Sequence, residues 1–406
     1  MTAISDKPLA RKKGASSLFA ALGFGLSGAS FTLGMLLLAR VLPVEAYGRF
    51  TLAIALFNIF GLLTPLGLDQ LFLRGPMRAG APLAAFLIAA GLAIGGLVGW
   101  SVHMMGGLRW AEAGLSAFAI AAGGIVATTS TGLRARHVPH AAMLLAISAS
   151  FVLLLAGGIA VTLDMRDTLW PLAIFAGGNM AFAALGWMLL SRADPGPAPR
   201  SPFGRRAEAA PMLGLVALGT LSLQIERIII PVPLDLKDLA LFGVLASVAI
   251  FPFRLLASGV GFTLPPRLMG AAPGRRRGLV LAEARPLIAV MIVATLGLAL
   301  LGPWLADIVT GGRYSVGVAL ILAGCASGAG KVAVAFPRAM LSAGGSPADL
   351  ALLNLWGVAG LMLTIWGALA GARYGVAGLL WGATAGGAVT TVVMLRLAWR
   401  SLGKED

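Results

Sequence analysis

Charge is scarce in this sequence. Only 12% of its 406 residues are Asp, Glu, Lys or Arg. A water-facing globular surface needs about twice that share, so a soluble multidomain protein is excluded. Cysteine is almost absent. Cys325 stands alone in an apolar run, which excludes an internal disulfide and a cysteine-based metal cluster. The three histidines, His103, His137 and His140, all fall near expected turns, so no metal centre is expected. Enzyme signatures are missing as well. There is no Walker-type phosphate loop and no His-Glu-x-x-His. No segment between apolar runs is long enough to house a catalytic domain. The expectation is a protein that is not an enzyme and carries no cofactor.

What fills the sequence is apolar. Hydrophobic residues make up 58% of it, and the mean hydropathy is +0.91. Runs long enough to cross a core of about 30 Å follow one another with little between them. Windows bounded by charges give twelve expected spans. In the first half these are 17–40, 47–71, 82–105, 114–133, 141–163 and 169–191. In the second half they are 211–233, 239–263, 287–309, 316–341, 349–371 and 374–398. The fold class expected is therefore all-α integral membrane. The 55 glycines fit it, because small residues let helices approach closely within a bilayer. The first run, Leu18 to Ala39, follows Arg11, Lys12 and Lys13 and exceeds a cleaved signal's apolar region, so it reads as a retained span.

An even number of spans puts both termini on one face. With that face inside, the inner segments hold 21 of the 31 Lys and Arg and the outer segments hold 7. Cytoplasmic loops of membrane proteins carry just such an excess. The expected setting is a bacterial inner membrane with both termini cytoplasmic. The net charge of +15 then reflects basic loops against anionic lipid. No basic, aromatic-bearing soluble module exists, so a nucleic-acid partner is excluded. The longest polar break, Arg192 to Pro211, contains Asp194-Pro195-Gly196-Pro197-Ala198-Pro199-Arg200-Ser201-Pro202, a run too rich in proline for a helix. It divides the chain into an N-terminal six-helix bundle (1–195), a cytoplasmic linker (196–210) and a C-terminal six-helix bundle (211–406).

Charges inside spans cost at least about 2.5 kcal/mol each and mark cavities or partners. Four stand out, all in the second half: Glu226, Arg227, Arg254 and Lys331. At 1.5 Å per residue, Arg254 and Lys331 lie about 14 Å from the inner ends of their spans. Two arrangements fit. The cations line a cavity as a ladder for an anionic group, or they snorkel to the interface while Glu226 neutralises one of them. Glu226 and Arg227 point about 100° apart on one helix and cannot face the same place. Asp69, beside Gln70, reads as an interfacial cap or as a coupling residue.

Several segments resemble a known family. Ala39-Arg40-Val41-Leu42-Pro43-Val44-Glu45-Ala46-Tyr47-Gly48-Arg49-Phe50 is similar to the turn between the first two helices of Wzx-type polysaccharide flippases. Leu66-Gly67-Leu68-Asp69-Gln70, Leu241-Phe242-Gly243, Gly311-Gly312-Arg313-Tyr314 and Tyr374-Gly375-Val376-Ala377-Gly378 resemble later segments of the same family, in order. The resemblance implies a MATE-like (MOP) fold of two six-helix bundles around a central cavity. It also implies alternating access and a substrate of undecaprenyl-diphosphate-linked oligosaccharide, an O-antigen, capsule or exopolysaccharide repeat unit. Such a protein works among membrane lipids beside polysaccharide polymerase and chain-length machinery. Diphosphate-holding cations would map onto Arg254, Arg227, Lys331 and Arg40, with Glu226 and Asp69 as charge-pair or coupling residues. The competing readings are a MATE-like drug exporter, which would want acids in its lumen, a membrane polymerase or ligase, and a structural subunit of an export complex.

Overall fold

A computed structural model describes residues 7–74, 77–193, 203 and 206–402. Lys404, the proline-rich run 194–202 and most of the expected linker lie outside the described residues. The regular structure is helical, because a bilayer offers no partner for backbone N–H and C=O groups outside a helix or closed barrel.

The first half consists of α1 (Lys7–Val41), α2 (Val44–Leu63), the short α3 (Leu68–Leu71), α4 (Ala81–Met104), α5 (Trp110–Ala135), α6 (Pro139–Thr162) and α7 (Leu169–Arg192). The second half consists of α8 (Arg206–Ile229), α9 (Leu236–Leu245), α10 (Phe251–Met269), α11 (Pro273–Thr310), α12 (Val318–Gly344), α13 (Pro347–Gly371) and α14 (Gly375–Ser401). A π-helical turn, Ala246–Ile250, joins α9 and α10 into one continuous span. Taking α2–α3 and α9–α10 as single spans gives twelve among the described residues.

Packing repeats between the halves. In the first, α1 packs on α6, and α5 gathers α2, α4, α6 and α7 around itself. In the second, α8 packs on α13, and α12 gathers α10, α11, α13 and α14. The correspondence holds span for span. It gives a physical repeat of packing between the halves. Between halves, α2 meets α8 and α9, while α1 meets α10 and α11.

Three elements differ from the sequence expectation. The span expected over 47–71 breaks at residues 64–67, where Pro65 lacks an N–H and Leu66 and Gly67 take positive φ of 50° and 79°. Gly67 is required twice over, since a Cβ there would also lie 2.3 Å from the Ala209 carbonyl oxygen of α8. The span expected to open at 211 begins at Arg206. The loop expected over 264–286 is mostly helix. α10 runs on to Met269, and α11 starts at Pro273 and reaches 38 residues. That length, about 57 Å, outruns the apolar core and carries Arg275, Arg276, Arg277 and Arg285 beyond it.

By the alternation of the spans these arginines share one basic face with Arg192, Arg267 and Arg400 in the last turns of α7, α10 and α14. At the opposite face the halves are sealed. Gly48 of α2 sits so near α9 that a Cβ would lie 2.1 Å from the Leu236 carbonyl oxygen. Arg313 donates to the carbonyls of Val41 and Leu42 at 3.2 and 3.3 Å, satisfying the exposed end of α1. Lys237 faces Glu45 at 3.5 Å. Within the first half, buried Glu112 binds Arg49 at 3.3 Å and Arg109 at 2.7 Å, and Arg109 continues to Asp167.

Candidate functional site

A cavity of about 1180 Å³ lies within the second half and is closed on one side by α1, α2 and α6 of the first. Its lining on α12 includes Ser327, Lys331, Val334, Ala335, Arg338 and Ser342, with Gly330, Ala333 and Ala339 beside them. The first six fall three, four or seven apart, so they form one face of the helix. On α14 the stripe is Thr384, Gly387, Ala388, Thr391 and Leu395. Hydroxyls and small residues thus alternate with apolar ones, which suits a wet, roomy lumen rather than a packed core.

The charges converge at mid-membrane depth. Lys331 Nζ of α12 lies 2.8 and 3.0 Å from the two carboxylate oxygens of Glu226 on α8, with both side chains at most 10% exposed. Ser327 donates to the same carboxylate at 3.2 Å. Arg254 reaches from α10 and donates to the Leu223 carbonyl of α8, which also accepts from Lys331 at 3.4 Å. Three helices therefore meet on one carboxylate and one carbonyl. The pair is neutral, and Arg254 adds a positive charge that has no carboxylate bound to it among the described residues.

The π turn helps place Arg254. Pro252 offers no N–H, and the Phe251 N–H donates to Ala246, five residues back. On α12, Gly328 admits Phe253 so closely that a Cβ would lie 2.8 Å from that ring. α10 and α12 thereby approach to the distance at which Arg254 and Lys331 share one acceptor.

Other sequence candidates go elsewhere. Arg227 is 3% exposed and does not line the cavity, lying behind Gln224 and Phe31, which do. It donates to Gln224 at 3.0 Å and lies over the Phe31 ring of α1 at 5.9 Å. Arg40 is exposed at the sealed face and does not line the cavity. Asp69 is buried on α3 near the basic face, where it accepts from Gln70, and it too is remote from the cavity. Neither Arg227, Arg40 nor Asp69 belongs to the cavity constellation of Glu226, Lys331 and Arg254.

One cavity residue escapes the sequence reading. Position along the chain groups Arg338 with the inner loops, yet it lies on the lining face two turns from Lys331. A methyl group on Gly219 of α8 would sit 3.6 Å from its Nη1. No hydrogen bond or ion pair engages its guanidinium among the described residues. The spacing Ser327, Lys331, Arg338, Ser342 on one helical face is the signal that could have found it.

No family model matches the chain, and no curated protein matches it by sequence. Solved structures do. The chain is similar to lipid II flippase MurJ in an inward closed conformation, with a TM-score of 0.65 at 12% identity over 96% of this chain and 90% of that one. It is similar to a multidrug resistance MATE family transporter of the MOP superfamily in an inward-facing conformation (TM-score 0.63, 13% identity, 93% and 95% covered). A third likeness is to the MATE multidrug transporter DinF-BH, with a TM-score of 0.62, 14% identity and 98% of both chains covered. These are transporters and flippases, not enzymes. At such identities the likeness is one of architecture: the chain shares the all-helical fold of MurJ and the MATE transporters.

Proposed function

We propose that this protein is a flippase that moves a polyprenyl-diphosphate-linked oligosaccharide from the cytoplasmic to the outer leaflet of a bacterial inner membrane. The single observation that carries this reading is the charge of the cavity. Three cations, Arg254, Lys331 and Arg338, line it against one acid among the described residues, and that acid is already bound by Lys331. Such a lumen attracts an anionic headgroup. Its walls are mostly apolar, with Ser222, Ser258, Ser327 and Thr384 among the scattered hydroxyls that a glycan could meet. The likeness to lipid II flippase MurJ and the ordered resemblance to Wzx-type flippases support the same reading. Under it the basic face is cytoplasmic, and both termini lie there.

The cycle follows from the fold. The two halves, α1–α7 and α8–α14, rock against each other. The cavity admits the headgroup from the basic face while Gly48, Arg313 and Lys237 keep the opposite face shut. The lipid tail stays in the bilayer. Rocking of the halves opens the sealed face and releases the headgroup to the polymerase and chain-length machinery. The membrane potential, negative inside, favours outward movement of an anion by about 2.3 kcal/mol per charge per 100 mV.

A drug exporter is the second reading, favoured by the likeness to MATE transporters at nearly the same TM-score. Glu226 is the acid it would use, but Lys331 occupies both its oxygens. Export of surface polysaccharide in a deletion strain separates the two. Arg254→Ala at normal protein level is expected to abolish polymer and to leave lipid-linked repeat units inside the cell. Unchanged export would remove Arg254 from the pathway. A deletion that leaves polysaccharide intact but sensitises cells to cationic drugs would favour the exporter.

A further inference from the structure

The sealed face traps polar groups that it does not satisfy. Tyr47 and Thr51 lie one turn apart on α2, and both are fully buried. Tyr314, also buried, stands in the turn between α11 and α12, and its ring meets that of Tyr47 edge to face at 6.0 Å. None of the three hydroxyls makes a hydrogen bond among the described residues, and their oxygens have almost no surface that water could reach. A buried tyrosine hydroxyl ordinarily finds a partner.

Close backbone packing creates this situation. A Cβ on Gly243 of α9 would lie 2.9 Å from the Thr51 hydroxyl oxygen and 3.1 Å from that of Tyr47. The same crossing sets Gly48 against the Leu236 carbonyl. A bridging water needs both space and polar partners, and helices this close deny it the space. Tyr314 is carried to the seam by a turn in which Gly311 and Gly312 take φ of 65° and 76°. Its neighbour Arg313 is the residue that bonds the end of α1. One turn of the second half thus supplies a bond that holds the seal and a hydroxyl that the seal leaves unmet. Burial alone does not strand hydroxyls here. Ser247 donates to the Gly243 carbonyl at 2.9 Å, Thr168 to that of Ala46 at 3.1 Å and Thr310 to that of Ala306 at 2.7 Å.

We infer that this seam is loaded: the unmet hydrogen bonds of Tyr47, Thr51 and Tyr314 raise the free energy of the closed face and are met by water when the halves part. An unbonded hydroxyl shut away from water carries its full desolvation penalty, and exposure removes it. Arg313 and the pair of Lys237 with Glu45 pull the other way. The opposition keeps closed and open states near in free energy, as an alternating cycle needs. The inference rests on the parting of the halves in the proposed cycle and not on the substrate carried.

The test is the ratio of open to closed faces in the purified full chain, read by pulsed electron spin resonance between labels at Arg166→Cys and Asp307→Cys. Both positions are exposed, one in each half. The background carries Cys325→Ser and Arg313→Ala, so that the seal has lost one of its bonds. Tyr314→Phe should lower the ratio at least about fivefold, and so should Tyr47→Phe with Thr51→Val. The last two are changed together so that no lone hydroxyl remains at the crossing. Tyr374→Phe removes an exposed hydroxyl and should leave the ratio unchanged. A ratio that stays level or rises with either Tyr314→Phe or the double variant would overturn the inference while leaving the alternating cycle intact. A single closed distance in the folded, monodisperse protein, with Arg313 and without it, would overturn the cycle and this inference together.

Discussion

Glu226 shows what one residue contributes within a membrane. Its carboxylate is the only anion bound to Lys331 among the described residues, and both side chains are nearly out of contact with solvent. Removing one member of a buried pair strands the other, at a cost of about 3–5 kcal/mol, whereas removing both is far milder. Glu226→Gln is therefore expected to lower the melting temperature of the detergent-solubilised protein sharply. The double variant Glu226→Gln with Lys331→Met should recover most of that loss. Equal melting for Glu226→Gln and wild type would show that the pair is not closed in solution. At the sealed face, Arg109 holds the Asp167 carboxyl below its ordinary range through direct hydrogen bonding, with help from the Leu169 N–H. A depressed carboxyl stabilises the fold above its unfolded pKa, about 3.9, and that contribution fades as pH falls through the lower folded value. Asp167 is about half exposed, so solvent screening keeps the effect under about 1 kcal/mol. Asp167→Asn should thus cost little at pH 7. In a melting series from pH 7 to 3, its deficit against wild type should shrink toward the acid end.

Among the elements, the pair α13–α14 is held by backbone contact. A Cβ on Gly371 would lie 2.1 Å from the Gly378 carbonyl oxygen, and one on Gly367 would lie 2.1 Å from that of Gly382. Carbonyls cannot swing aside as a flexible side chain can, so Gly371→Ala should push the helices apart and reduce folded yield. Gly297→Ala on α11 has nothing within 4 Å and serves as the control. Matching yields for the two would contradict this packing. Spans like these are legible in the sequence because apolar length alone sets them. Their ends are less so. The N-terminal part of α11 is helical although it is rich in arginine, since helix formation there needs no apolar run and Pro273 is suited to the first turn. The break after α2 depends on the approach of α8 to Gly67, a tertiary fact with no local signal beyond the Pro and Gly. Within the site, Glu226, Lys331 and Arg254 stand out because charge in a span is conspicuous. Arg338 does not, because counting from the nearest loop assigns it to the interface. Arg227 stands out equally but turns toward α1, since hydropathy reports depth and not direction.

For the whole molecule, the seal between Glu45 and Lys237 is the place to test motion between halves. A reducible bis-thiosulfonate bridge across Glu45→Cys and Lys237→Cys, in a Cys325→Ser background, should arrest transport and release it on reduction. Continued transport with the bridge complete would mean that the halves do not part there. The same background tests orientation. Asp164→Cys should react with an impermeant maleimide added to intact cells with a permeabilised outer envelope, and Arg275→Cys only after the inner membrane is breached. The reverse pattern would invert the protein and turn its proposed direction of transport around.

The π turn at Ala246–Ile250 acts as a one-residue insertion within an otherwise α-helical span. Each residue added to a helix rotates everything beyond it by about 100°. Arg254 meets the cavity only with that rotation in place. Chain length, then, governs this site as much as composition does. A deletion of one residue between 246 and 250 leaves every side chain of the lumen in the sequence, yet turns Arg254 out of it. Related chains that have lost or gained this single residue would have exchanged their charge in the lumen for a different one without a single substitution.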